Sequence, residues 1–147
     1  WLAKFNLDQT IVFDYDKVTD FNGETGPYIQ YAAVRASSIL EKAGEERIND
    51  SDKLDARLLS EDSEVDLIKE IAAFPEMVIR CADSYLPNLL TSYAYNLAVK
   101  FNKFYEKIPV LNAPDKEREA RLCLVSVARQ TLLNALTLLG IQVPEQM

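Results

Sequence analysis

The stretch that decides the fold is Gly23-Glu24-Thr25-Gly26-Pro27-Tyr28-Ile29-Gln30-Tyr31-Ala32-Ala33-Val34-Arg35-Ala36-Ser37-Ser38-Ile39-Leu40. Two glycines flank Glu24-Thr25 and mark a turn. Pro27 suits the first position of a helix, where the N–H it lacks would have no partner anyway. From there Ile29, Ala32, Ala33, Ala36, Ile39, Leu40 and Ala43 recur at helical spacing and give a buried stripe. Gly44 can close the helix in the left-handed conformation. A second face matters as much: Tyr28, Tyr31 and Arg35 fall at i, i+3 and i+7 and line up along one side. The spacing predicts a helix over 27–43 with two working faces.

Downstream the pattern repeats. A helical region begins near Asp62 or Ser63, with Val65, Ile68 and Ala72 as its stripe and Glu64 and Asp66 near its start, where the helix dipole favours acids. Pro75 breaks it and can begin another helix carrying Val78, Cys81, Ala82 and Tyr85. Pro87 repeats the device, and the helix from there to about Tyr105 carries Leu90, Ala94, Leu97, Phe101 and Phe104. A connector, Pro109–Pro114, leads to a last helix from about Pro114 to Leu139. Its first turn is acidic, Leu122, Val125, Leu132, Leu136 and Leu139 form its stripe, and Gly140 with Ile141 closes it. Upstream, Thr10–Asp16 reads as a short strand or an extended stretch, and residues 1–26 as an irregular or extended opening. There is no internal repeat. The expected fold is all-α, a bundle of about five helices.

Composition narrows the chemistry. The chain has 147 residues, 48% of them apolar and 27% charged, which is one ordinary domain with a real core. Histidine is absent, which excludes Ser-His-Asp and Cys-His nucleophile systems and zinc sites that need imidazole. Cys81 and Cys123 are far apart with no CxxC, so they read as two reduced, buried thiols. No apolar run reaches the roughly 18 residues of a membrane span, and no signal-peptide pattern opens the sequence. The first residue is Trp1, so a piece of a longer protein is expected.

The net charge is −7. A binder that works mainly by neutralising phosphates should be basic, so the total argues against nucleic acid. The charge is uneven, however. Residues 41–76 hold 12 acids and 5 bases, whereas residues 77–147 hold 6 acids and 8 bases. The acid-rich segment also contains the loop-like runs Ile48–Asp52 and Ser60–Ser63.

Little here suggests catalysis. Gly23-x-x-Gly26 lacks the further glycines and lysine of a phosphate loop and reads as a plain turn. The acids of 41–76 lack calcium-loop spacing and read as a solvated face. Asp14 and Asp16 alternate with aromatics without converging on anything. What stands out is tyrosine, seven in all. Tyr28 and Tyr31 share a face with Arg35, and Tyr105 ends a long helix before a proline-containing connector. A tyrosine at a helix end suits stacking on an unpaired base plus one hydrogen bond. Arg35 could contact a phosphate or stack on a base. The plainer alternative packs these rings in the core with their hydroxyls satisfied.

These residues also carry a resemblance. Gly23–Ala32, then Arg35 and Ser38-Ile39-Leu40, is similar to the GxTGPYxQYAxxRxxSIL signature of the arginyl-tRNA synthetases, and Ile11–Asp16 resembles the same family. Phe104-Tyr105, Pro109-Val110-Leu111, Ala120–Leu124, Leu138–Ile141 and the closing Pro144-Glu145-x-Met147 resemble its C-terminal helical domain, the DALR anticodon-binding domain. The match runs through the chain in order, and the ending suggests that Met147 is a natural C-terminus.

The resemblance implies a class I enzyme that joins arginine to its tRNA using ATP with magnesium. Its HIGH-type and KMSK-type motifs are not in this sequence, so no catalytic residue, metal site or cofactor is expected here. Residues 1–26 would be the C-terminal edge of the catalytic domain and 27–147 the DALR domain. The implied partners are the anticodon stem-loop of an arginine tRNA and the rest of the catalytic domain. A cytoplasmic monomer without membrane association is expected. By motif position, the anticodon contacts would be Tyr28, Arg35, Tyr105 and Met147. Gln30, Tyr31 and Arg121 are secondary candidates, with packing as their other role. The acid-rich segment should then face away from the RNA. The alternatives are a helical protein–protein interaction module, the DALR domain of a related enzyme such as the cysteine ligase, and a metal-dependent hydrolase.

Overall fold

The computed structural model describes residues 1–6, 8–20, 23–44 and 55–147. The described residues form six α-helices: α1 (Tyr15–Thr19), α2 (Gly26–Ala43), α3 (Asp62–Ala72), α4 (Phe74–Ser84), α5 (Pro87–Lys107) and α6 (Asp115–Leu138). They contain no strand. The loop-like run Ile48–Asp52 lies outside the described residues.

Proline punctuates the bundle. Pro27, Pro75 and Pro87 each sit in the first two positions of α2, α4 and α5. α5 lies at the centre and packs on α2, α3, α4 and α6, while α2 makes its largest contact with α6. The core takes Ile29, Ala32, Ala33, Ala36, Ile39 and Leu40 from α2, Leu97, Phe101 and Phe104 from α5, and Val125, Leu132 and Leu136 from α6. Each fully buried leucine or phenylalanine here contributes about 1.5–3 kcal/mol over leaving it exposed. No helix among the described residues is long and apolar enough to cross a membrane.

Several expectations are corrected. Thr10–Asp16 is neither strand nor uniformly extended. α1 begins at Tyr15 because the Asp14 carboxylate accepts the Lys17 amide proton at 3.3 Å, capping the helix. That same bond holds the Asp14 carboxyl below its ordinary range. In α3 the buried residues are Ser63, Glu64 and Leu67, while Ile68 and Ala72 are exposed. The stripe is rotated because Glu64 turns inward. One of its oxygens accepts from the Glu61 amide at 3.0 Å, and the other from Arg121 Nε at 2.7 Å. Tyr85 lies outside α4, at a left-handed φ of 55°, and is exposed. Cys81 and Cys123 are free thiols, but only half-buried.

The N-terminal segment is fastened to α5: the Thr91 hydroxyl donates to the Ala3 carbonyl at 3.1 Å, and the Ser92 hydroxyl donates to the Glu24 carboxylate at 3.4 Å, which also pairs with Lys4 at 3.0 Å. Trp1 packs edge-on against Phe5 and Phe13.

Candidate nucleic-acid interface

The start of α2, the last turns of α5 and the tail after α6 meet around one cavity of about 610 Å³. Tyr28, Tyr31 and Arg35 line it from α2, Asn102 and Glu106 from α5, and Met147 from the tail. α2 offers these residues because its opposite stripe is committed to the core, so the 28/31/35 face turns outward.

Arg35 is the centre of the arrangement. Its guanidinium carbon lies 5.3 Å from the ring centre of Tyr31 and 5.3 Å from that of Tyr105. Both distances are within the range of cation–π attraction. Nη1 donates to Asn102 Oδ1 at 3.1 Å and lies 4.0 Å from the Glu106 carboxylate. The other side of the Asn102 amide donates to the Tyr28 hydroxyl at 3.2 Å. Behind Tyr28, the Tyr95 ring packs at 5.2 Å, and burial pushes the Tyr95 hydroxyl above its ordinary range, with Tyr28 and nearby acids adding to the effect.

The tail is held in place from α2. Gln30 Nε2 donates to the Gln142 carbonyl at 2.6 Å, a link across 112 positions that brings the exposed Met147 side chain to the cavity wall.

Of the sequence-nominated residues, Tyr28, Tyr31, Arg35 and Met147 share the cavity, and Tyr105 joins them through Arg35. Gln30 anchors the tail. Arg121 stands apart on α6, bound to the buried Glu64 and to the Pro109 carbonyl at 3.0 Å. Asn102, Glu106 and Tyr95 escaped the sequence reading. Their signal was there: positions 95, 102 and 106 fall at i, i+7 and i+11, one face of α5.

The described part of the acid-rich segment adds no side chain to the cavity lining. Three of its acids are paired with bases of α5 and α6: Glu64 with Arg121, Asp66 with Lys103 and Glu70 with Lys100. The cavity therefore offers flat aromatic faces, amide and hydroxyl groups and one guanidinium, with little excess charge. Such a surface stacks and hydrogen-bonds more than it neutralises phosphate.

Residues 29–147 match the DALR anticodon binding domain family. The chain belongs to that family. It is also similar to curated arginine–tRNA ligases: 46% identical to that of Thermococcus sibiricus and 43% to that of Methanococcoides burtonii, each over 99% of this chain. These alignments cover 23% and 26% of the two relatives, so the chain spans about a quarter of their length. Among solved structures, the arginyl-tRNA synthetase of Thermus thermophilus superposes with a TM-score of 0.81 at 38% identity, over 95% of this chain and 24% of that one. The Plasmodium falciparum arginyl-tRNA synthetase gives 0.85 at 28% identity, over 99% and 25%. The all-helical bundle is thus the DALR architecture as it occurs in arginyl-tRNA synthetases.

Proposed function

We propose that this chain is the anticodon-binding part of an arginine–tRNA ligase, and that Tyr28, Arg35, Tyr105 and Met147 form its contact surface for the anticodon loop, with Tyr31 beside them. The observation that carries the reading is Arg35, whose guanidinium lies over two tyrosine rings at the edge of a cavity within the size range of ligand sites. Single-stranded RNA loops are read by such combinations of aromatic faces, arginine planes and hydrogen-bonding groups. Gln30 supports the surface by holding the tail, and Arg121 supports the fold.

In this reading residues 1–26 belong to the edge of a catalytic domain and 27–147 to the anticodon domain. The exposed Val12, Phe13 and Tyr15 suit a seam against further protein. The parent enzyme joins arginine to its tRNA with ATP and magnesium and works as a monomer in the cytoplasm. The described residues offer no matching donor set for the nucleotide or its metal. Gly23 and Thr25 form a tight bend without a phosphate-binding lysine, and among the described residues no three cysteine or carboxylate side chains converge.

The test is a titration of the chain at low salt with the anticodon stem-loop of an arginine tRNA and with the same loop carrying a swapped anticodon. Tighter binding of the native loop is expected. Equal affinities would overturn the reading.

A further inference from the structure

Asn102 is a buried polar side chain, 7% exposed, on the cavity-facing side of α5. Its neighbours on that helix, Leu97, Ala98, Phe101 and Phe104, are core residues. A polar group in such a place is retained at a cost in desolvation unless its bonds are made. Both ends of the Asn102 amide are used, and both reach α2: the oxygen accepts from Arg35 and the nitrogen donates to Tyr28. One planar amide thus fixes two residues that are two helical turns apart.

The alternative partner for Arg35 is close by. Glu106 lies one turn further along α5, its carboxylate 4.0 Å from Arg35 Nη1 and largely exposed. A guanidinium favours a bidentate carboxylate over a single amide oxygen. Held by Glu106 alone, Arg35 would be neutralised and free to leave the tyrosine rings. The neutral amide keeps the guanidinium over Tyr31 and Tyr105 without cancelling its charge.

Building on the proposed RNA-binding role, we infer that Asn102 is a positioning residue of the loop-binding surface, which holds Arg35 across the two tyrosines with its nearer bond to the neutral amide and Glu106 no closer than 4.0 Å. Asparagine serves where aspartate would fail, because a carboxylate at 102 would grip Arg35 and take away the charge that meets the RNA.

The test uses the whole chain and the two stem-loop RNAs, with thermal unfolding alongside. Asn102→Leu keeps the side-chain size and removes both bonds. It is expected to weaken the native loop about tenfold, the worth of a hydrogen bond to a charged group. Asn102→Ser gives a second, smaller replacement if the leucine variant does not fold. Adding Glu106→Gln to Asn102→Leu should restore part of the affinity by removing the competing carboxylate. Asn102→Asp should fold as well as the parent, bind the loop more weakly and show a shallower dependence on salt. On an Arg35→Ala background the Asn102 substitutions should have little further effect.

A folded Asn102→Leu or Asn102→Ser chain that binds the native loop like the parent overturns the inference. So does a loss that persists in full on the Arg35→Ala background, since Asn102 would then act without Arg35. A parent chain that does not discriminate the two loops overturns the RNA reading itself, a result distinguishable from failure of the Asn102 variants alone.

Discussion

The guanidinium of Arg35 lies 5.3 Å from the centre of the Tyr105 ring, which joins the outward face of α2 to the last turns of α5. Removing the ring by Tyr105→Ala should weaken binding of the native anticodon loop by about 1–3 kcal/mol, the range for loss of a base-stacking aromatic. Arg35→Lys should also weaken it. A lysine keeps the charge but has no planar fork to lie on two rings while donating to Asn102. Anisotropy titrations of the two variants check both outcomes.

Arg121 serves a different purpose, and its substitution should separate stability from binding. Glu64 is fully buried and, among the described residues, pairs with the cation of Arg121, whose side chain is itself 12% exposed. Arg121→Ala leaves a buried carboxylate without its counter-charge. About 3–5 kcal/mol of stability should be lost, the usual result of breaking a buried pair by one partner. The double variant Glu64→Leu with Arg121→Leu should be less damaging than Arg121→Ala alone. Urea unfolding curves give both values.

These two arginines show how far the sequence can be read. Arg35 was legible because its partners Tyr28 and Tyr31 are on the same helix, at spacings fixed by 3.6 residues per turn. Tyr105 was legible as a helix-ending tyrosine. What Arg121 and Asn102 bind was not, because their side-chain partners lie 57 to 74 positions away. Glu64 looked like an exposed dipole-compensating acid, and its pairing with Arg121 turned α3 by enough to expose Ile68. The helix boundaries were clear wherever proline or glycine set them. α1 was missed because a single side-chain cap at Asp14 outweighs the β-preferring Ile11 and Val12 that precede it.

Tyr85 offers a gain in stability. It occupies the left-handed position after α4, where the Tyr85 and Leu86 amides close back on the Ala82 and Cys81 carbonyls. Its side chain is 83% exposed and contributes little packing. Tyr85→Gly should raise stability by about 1 kcal/mol, since the strain of an L-residue there is relieved. A higher melting temperature with unchanged loop affinity is the expected result.

Alkali should loosen the fold through the buried Tyr93 and the half-buried Cys123. Burial pushes the Tyr93 hydroxyl, which donates to the Glu70 carbonyl at 2.8 Å, above its ordinary 10.0, and pushes the Cys123 thiol above its ordinary 9.0. Both are neutral when protonated. Their contribution is therefore complete below those ordinary values and is lost as pH rises through the raised ones. Stability should decline above about pH 9, and the Tyr93 phenolate signal should appear only with unfolding. Tyr93→Phe should flatten the decline, as followed by denaturant midpoints across the alkaline range.

The bond between Gln30 and the Gln142 carbonyl has a consequence for synthesis. Residues far apart in the helical domain share one wall, so a nascent chain that has emerged as far as Gly140 possesses the described helices and still lacks the part of the wall that Met147 provides. In the proposed reading, competence to hold a loop comes after the bundle has packed, because residues 141–147 leave the ribosome later than the helices they close upon.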